Sequence, residues 1–287
     1  PMLTPDEAQI LSFNGEIYNF LEVRAELERL GHQFQTSSDS EVILFAWRQW
    51  GVDCLKRLNG MFAFAIYDQR SRQLFLARDR LGVKPLFYAR VSDGSILFGS
   101  ELKALLANPL LRRDPNITAV DDYLAFGYVP DQTSLLKGVK KLAAGHYLLL
   151  EQGKPEPESV QYWDMDFSQR SKGSARDLEE ELVELLKQAV NSRMISDVPL
   201  GAFLSGGVDS SAVVALMAEN SRRAVKTCSI GFDQQSLDET GYARAIAERF
   251  QTDHRERIVA ADDFGLIDTL ADHFDEPFAD ASALPTY

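Results

Sequence analysis

Two stretches of this sequence combine residue types that could do chemistry. The first is Ser-Gly-Gly-Val-Asp-Ser-Ser, residues 205–211. The apolar run Pro-Leu-Gly-Ala-Phe-Leu precedes it, and the helix-like run Ser-Ala-Val-Val-Ala-Leu-Met-Ala-Glu-Asn follows. A turn between a buried strand and a helix suits an anion, because the helix N-terminus offers orphan N–H donors and about half a positive charge. Gly206 and Gly207 carry no Cβ, so their backbone could approach the anion closely. Ser205, Ser210 and Ser211 add hydroxyl donors. Asp209 would repel a bare phosphate and makes sense if Mg²⁺ lies between the carboxylate and phosphate oxygens. A P-loop would need Gly-x-x-x-x-Gly-Lys-Ser/Thr, and no lysine follows these glycines. A glycine-rich turn without a ligand would explain Gly206 and Gly207 but not Asp209 together with both serines.

The second stretch is Asn-Gly-Glu-Ile-Tyr-Asn, residues 14–19, after the apolar run 10–13. Alone it reads as a tight Asn-Gly turn, with Asn19 capping the helix that follows.

The elements that must position these stretches differ along the chain. Residues 1–150 are rich in short apolar or alternating runs, at 9–13, 60–68, 73–79, 85–91, 95–100 and 145–151, which predict strands. Gln-Arg-Ser-Arg at 69–72 and Ser-Asp-Gly at 92–94 separate neighbouring runs as hairpin turns would. Phe20, Val23, Leu27 and Leu30 have helical spacing, and Gly31 is a stop signal. Ser38 and Glu41 have capping-box spacing before a helix that Gly51 closes. Antiparallel strands with segregated helices predict a layered α+β domain. Residues 151–175, with Pro, Gly, Ser and charge, read as a linker partly packed through Tyr162 and Trp163. Beyond it the pattern alternates. A helix over 177–193, with Leu178, Leu182, Leu185 and Val190 apolar, is followed by strands at 199–205, 225–232 and 255–260. Helices at 210–220, 239–250 and 264–274 separate and follow these strands. Such alternation predicts βαβ units and a parallel sheet. Ligands bind at the carboxyl ends of such strands, where residues 205–211 fall.

The 205–211 motif resembles the PP-loop of the ATP pyrophosphatase superfamily, which cleaves ATP to AMP and pyrophosphate. The resemblance implies that Ser205, Gly206, Gly207, Asp209, Ser210 and Ser211 bind the pyrophosphate end of ATP. It also implies that Leu204 and Ile230 contact the adenine nucleoside and that Asp209 is the metal residue. Asp238 and Glu239 read equally as helix-start acids. Asn14–Asn19, with Ser-Asp-Ser-Glu at 38–41 and the segments 78–88 and 98–106, resembles the glutaminase domain of class II glutamine amidotransferases. In order and spacing the chain is similar to glutamine-hydrolysing asparagine synthetases of the bacterial B type. That implies a layered αββα Ntn-hydrolase-type glutaminase domain over 1–160, a linker over 161–176, and a Rossmann-like α/β PP-loop domain over 177–287. The implied reaction hydrolyses glutamine and passes ammonia to an ATP-activated, adenylated carboxylate, most simply that of aspartate. Asn14 and Gly15 would form the oxyanion hole, Asp39 would bind the glutamine α-ammonium, and Glu16 would lie beside it. Arg78, Asp79, Arg80 and Lys84 are expected to build an ion-paired turn between strands 73–79 and 85–91.

Two departures stand out. The family's nucleophile is an N-terminal Cys, whereas Pro1 comes first here and Cys54 matches no catalytic position. The family's second acidic, Gly-rich motif is also missing, so the chain is expected to be truncated at both ends. Rival readings are a related enzyme amidating a polysaccharide or peptide precursor, a β-lactam-synthetase-like ligase, and a non-catalytic nucleotide-binding protein.

Bulk properties agree with two ordinary globular domains. The chain has 287 residues, 45% apolar and 25% charged, with a net charge of −13. That charge argues against nucleic-acid and anionic-membrane partners. The two cysteines make no disulfide framework, so a reducing cytoplasm is expected. The four histidines lack ligand spacing. A homodimer is a further expectation.

Overall fold

The structure is a computed structural model and describes residues 1–232, 238–259, 263–277, 279–280 and 283. Two compact units emerge. The first comprises Pro1–Asp166 and Ala271–Asp280, and the second is drawn from Phe167–Leu270.

In the first unit, β1 (Met2–Leu3) pairs antiparallel with β2 (Gln9–Ile17), and helices α1 (Phe20–Arg29) and α2 (Asp39–Trp50) follow. Strands β3 (Gly60–Asp68) and β4 (Gln73–Arg78) form one hairpin, and β5 (Phe87–Arg90) and β6 (Ile96–Gly99) a second. Helices α3 (Leu102–Leu106) and α4 (Ile117–Phe126) precede β7 (Val139–Lys141), β8 (His146–Glu151) and β9 (Val160–Gln161). One sheet has the order β1-β2-β3-β4-β8-β9 and the other β6-β5-β7.

Alternation along β3 and β4 sets the layers, because successive side chains leave opposite faces. Phe62, Phe64, Ile66 and Phe75 share a core with Val23, Leu27 and Ile43 of the helices. Ala63, Ala65 and Leu76 share the next core with Tyr88 of the second sheet and with Leu86 and Leu142, which flank its strands β5 and β7. The far face of that sheet, through Phe87, Ala89 and Val139, packs on Leu102 and Leu105 of α3. The order helix, sheet, sheet, helix is the expected αββα layering.

Several local expectations are corrected. Residues 14–17 do not turn: β2 runs on to Ile17, held in register with β3 from Gln9↔Asp68 to Ile17↔Gly60. Asn19 stands at the N-cap of α1, but its side chain binds the Arg57 carbonyl and the Asn59 N–H instead. The Ser38–Glu41 capping box is half formed. Ser38 Oγ accepts from the Ser40 N–H, while the Glu41 carboxylate accepts from Gln35 N, Thr36 N and Thr36 Oγ1. Burial alone would raise the Glu41 carboxyl, but these three donors overcome it and hold the group below its usual range. The expected packing of the 151–175 segment through Tyr162 is present, its OH donating to the Arg78 carbonyl, and Val160–Gln161 adds a short strand pairing with β8.

The segment 271–280 is built into the first unit by specific bonds. The Asp275 carboxylate accepts from Leu102 N at 2.6 Å and Lys103 N at 3.2 Å, capping α3. Glu276 pairs with Lys141 at 2.5 Å, both side chains 11% exposed, and also accepts from Leu135 N. Ala279 N donates to the Gly127 carbonyl at 2.6 Å.

In the second unit, α5 (Ala175–Ser192) begins with a complete capping box between Ser174 and Asp177. Strands β10 (Gly201–Phe203), β11 (Lys226–Phe232) and β12 (Asp253–Val259) pair parallel in that order. Helices α6 (Val208–Asn220) and α7 (Thr240–Arg249) are the crossovers, giving the expected α/β pattern. Of the apolar positions foreseen on α5, only Val190 is buried, against Leu216, Met217 and Val225; Leu178, Leu182 and Leu185 are exposed. Among the described residues, no helix is long and apolar enough to cross a membrane.

Candidate functional sites in the two units

In the first unit the site residues gather at the end of β2. Gln9 N–H donates to Thr4 Oγ1 and Ile17 N–H donates to Asp39 Oδ2 at 3.0 Å, both away from β3. Backbone N–H direction alternates along a strand, so the Gly15 N–H points to the same edge. β1 pairs only with Ile10 and Leu11 there. Phe62, the partner of Gly15, spends its own N–H and carbonyl on Asp79, as a non-hydrogen-bonded pair requires. Gly15 has φ +152, and an added Cβ would lie 2.1 Å from the Met61 carbonyl oxygen. Only glycine fits this register.

Asn14 points to the opposite face, toward the second sheet. Its Nδ2 donates to Ser100 Oγ at 3.0 Å. The two residues lie at a cleft of about 90 Å³ also lined by Ser12, Ala63, Leu86 and Phe98. Asp39 opens α2 and, through Ile17, sits two strand residues from Gly15. Glu16 lies half-buried between them. A larger depression of about 650 Å³ lies at the other end of β2, around Gln9, Trp47 and Asp68. Its cations Arg48 and Arg70 already pair with Asp6.

The expected ion-paired turn after β4 is built differently. The Asp79 carboxylate accepts from four backbone N–H groups, Phe62 at 3.1, Leu81 at 3.1, Val83 at 2.9 and Lys84 at 2.9 Å. Arg78 donates to the carbonyls of Lys84, Gly82 and Leu142 and to Asp131. Main-chain groups, which carry no sequence signal, take the bonds that the charges suggested for each other. Cys54 is buried, and burial pushes its thiol up to about 12, so it is not a thiolate at neutral pH.

In the second unit, residues 205–207 leave β10 and α6 starts at Val208 with Gly207 as its N-cap. No side chain caps this end, so the N–H groups of the first turn are open to a ligand. Ser205 Oγ and Ser210 Oγ bond each other at 3.0 Å across the loop, and Ser205 Oγ also accepts from Gly207 N. Ser211 Oγ is buried and has no hydrogen-bond partner among the described residues. A buried hydroxyl without a partner is a costly arrangement that a phosphate oxygen would relieve. This observation, with the open helix start, fits a triphosphate. Asp209 is exposed on the first turn. Among the described residues, no three His, Cys, Asp or Glu side chains converge on a metal position.

The two glycines serve different ends. Gly206 has φ +84, and an added Cβ would meet Tyr242 Cβ at 2.5 Å and Ala243 N at 2.6 Å. Its glycine is demanded by the turn and by the start of α7, not by an approaching anion. At Gly207 the nearest atom would be Ser205 Oγ at 3.3 Å, so this is the open position. Gly206→Ala is expected to lower the stability of the second unit by about 3 kcal/mol, since strain and a backbone clash add. Chemical denaturation followed by circular dichroism checks it. Leu204 is 1% exposed and packed on Val214, Ala243 and Ala247. Its side chain faces the core, and its carbonyl accepts from Ser229 Oγ. Ile230 is half-buried on β11, two residues past the partner of Phe203, at the carboxyl end of the sheet. The Asp238 carboxylate accepts from Thr240 N and Oγ1, as a helix-start acid does.

The model of the glutamine amidotransferase domain matches residues 1–163, more than half the chain. The chain belongs to the glutamine amidotransferase domain family. The asparagine synthase model matches residues 181–287. The chain is 41% identical over 283 residues to a protein named putative glutamine-hydrolysing asparagine synthetase 2 of Methanocaldococcus jannaschii, covering 97% of this chain and 54% of that protein. It is 34% identical over 297 residues to glutamine-hydrolysing asparagine synthetase 1 of Bacillus subtilis, covering 100% of this chain and 45% of that protein. The chain thus spans about half the length of the curated relatives it matches. A solved glutamine phosphoribosylpyrophosphate amidotransferase from B. subtilis covers 96% of the chain, and the chain 75% of it, at 14% identity and a TM-score of 0.42. A likeness at that TM-score does not bear on the fold.

Ser100 went unassigned in the sequence although it lies in a segment that carries the family resemblance. Its partner Asn14 is 86 residues away, and no periodicity reveals such a pair.

Proposed function

We propose that the full-length protein is a glutamine-dependent amidotransferase that makes asparagine from aspartate with ATP. The observation that carries the glutaminase half is the end of β2. There a glycine-only position turns its N–H to the strand edge, and the residue before it, Asn14, carries an exposed amide. When a nucleophile attacks the glutamine side-chain amide, the carbonyl oxygen gains negative charge. Preorganised donors stabilise that charge at about 3 kcal/mol each, and Gly15 N–H and Asn14 Nδ2 are the donors. Asp39 holds the substrate α-ammonium through its carboxylate, which also accepts from Ile17 N at Oδ2 and from Ser38 and Ser40 Oγ at Oδ1.

The second unit binds ATP through the α6 N-terminus, Ser205, Gly207, Ser210 and Ser211. Mg²⁺ would be held by Asp209 and phosphate oxygens and would offset the repulsion between them. The aspartate carboxylate oxygen attacks the α-phosphorus of ATP and pyrophosphate leaves. Ammonia then attacks the activated carbonyl carbon, and AMP leaves.

Isothermal titration of the full-length protein with ATP tests the loop. Asp209→Asn is expected to weaken binding of ATP with Mg²⁺ by tenfold or more, roughly one charge-assisted contact. Metal-free ATP should bind the variant as well as the wild type or better, because a repulsive carboxylate is gone. Equal metal dependence in both proteins would remove Asp209 from the metal. Pyrophosphate release above background with aspartate and ammonia tests the acceptor.

A further inference from the structure

We infer that Ser100 is a positioning residue for glutamine hydrolysis, acting through Asn14. The inference rests on the assignment of Asn14 to the oxyanion hole proposed above. Asn14 is an exposed side chain at a strand end, and its amide plane turns about a soft torsion. An amide that turns presents its carbonyl where a donor is needed. Ser100 Oγ accepts from Asn14 Nδ2 at 3.0 Å, which uses one of the two amide hydrogens and leaves the other for a ligand.

Ser100 is itself well placed to hold that bond. It directly follows β6 in the second sheet, and α3 begins two residues later. The α3 start is fastened by the Asp275 carboxylate at Leu102 N and Lys103 N. Gly99, just before Ser100, sits against α3, where an added Cβ would lie 3.1 Å from Leu105 Cδ1. The bond therefore ties the end of β2 in one sheet to a fixed corner of the other.

The test compares Ser100→Ala, Ser100→Thr, Asn14→Ala and the Ser100→Ala/Asn14→Ala double variant in the full-length protein. Glutamate release and synthesis with ammonia supplied directly are both measured. Ser100→Ala should lower the glutaminase kcat about tenfold, the effect of one orienting hydrogen bond. KM for glutamine and ammonia-dependent synthesis should stay within about twofold, as they would if only the orientation of one donor changed. Ser100→Thr keeps the hydroxyl and should recover most of the activity. In the Asn14→Ala background the Ser100→Ala change should cost nothing further. If Asn14→Ala loses glutaminase activity while Ser100→Ala does not, or if the two losses multiply, the positioning role is overturned and the oxyanion site stands. If Asn14→Ala itself keeps full glutaminase activity, the site assignment falls and the Ser100 role falls with it. A Ser100→Ala loss that extends to ammonia-dependent synthesis also overturns it, because it marks general damage.

Discussion

Replacing Asn14 with alanine is expected to cut glutamine turnover by the full-length protein by about 10²–10³-fold, the loss measured when one oxyanion donor is removed from other enzymes. The loss should fall on kcat, because the charge that Asn14 meets develops only during attack. Stability should barely change. The side chain is exposed, and the Ser100 hydroxyl it leaves behind is only half-buried at the cleft, where water can replace the lost partner. Synthesis with ammonia in place of glutamine should proceed at the wild-type rate. Glutamate release and asparagine formation, assayed side by side, give the comparison. Wild-type glutamine turnover by this variant would take Asn14 out of the site.

Asp79→Ala should have the largest effect on stability. Its carboxylate is 1% exposed and accepts from four main-chain N–H groups drawn from β3 and the turn after β4. Truncation would strand the buried Phe62 N–H and leave the three part-buried turn N–H groups without their acceptor, at about 1–3 kcal/mol for each group left unsatisfied. Relaxation will recover part of this, so a loss on the order of 4 kcal/mol is expected, a large share of a typical domain's 5–15 kcal/mol. Asp79→Asn keeps one acceptor oxygen and should fall between. Thermal melts of the three proteins would rank them. A melting temperature unchanged in Asp79→Ala would show that the turn is held by Arg78 instead.

The strands of the first unit and the alternation of the second were legible because side-chain periodicity is a local property. Gly60–Asp68 and Gln73–Arg78 lie almost where the apolar runs put them. What failed was decided by partners distant in sequence. Asn14-Gly15 has the local chemistry of a turn, yet nine paired positions against β3 hold it extended. Gly206 looks like an opening for an anion until Tyr242 and Ala243 are seen against it. Arg78 and Asp79 read as an ion pair because charges can be seen in a sequence, whereas the carbonyl and N–H groups they bind cannot. A helix after the glycines was plain, though expected from 210 rather than 208; the buried hydroxyl of Ser211, without a partner among the described residues, was not.

Residues 271–280 carry a consequence for anyone recombining this protein with its relatives. They lie within the match to the asparagine synthase model yet belong physically to the first compact unit. A chimera joined at a single crossover near residue 166 would set a foreign N-terminal half against this chain's Asp275 and Glu276, parting both acids from the α3 start and Lys141 they answer here. Modular exchange therefore calls for two cassettes, with the decapeptide travelling alongside the N-terminal half.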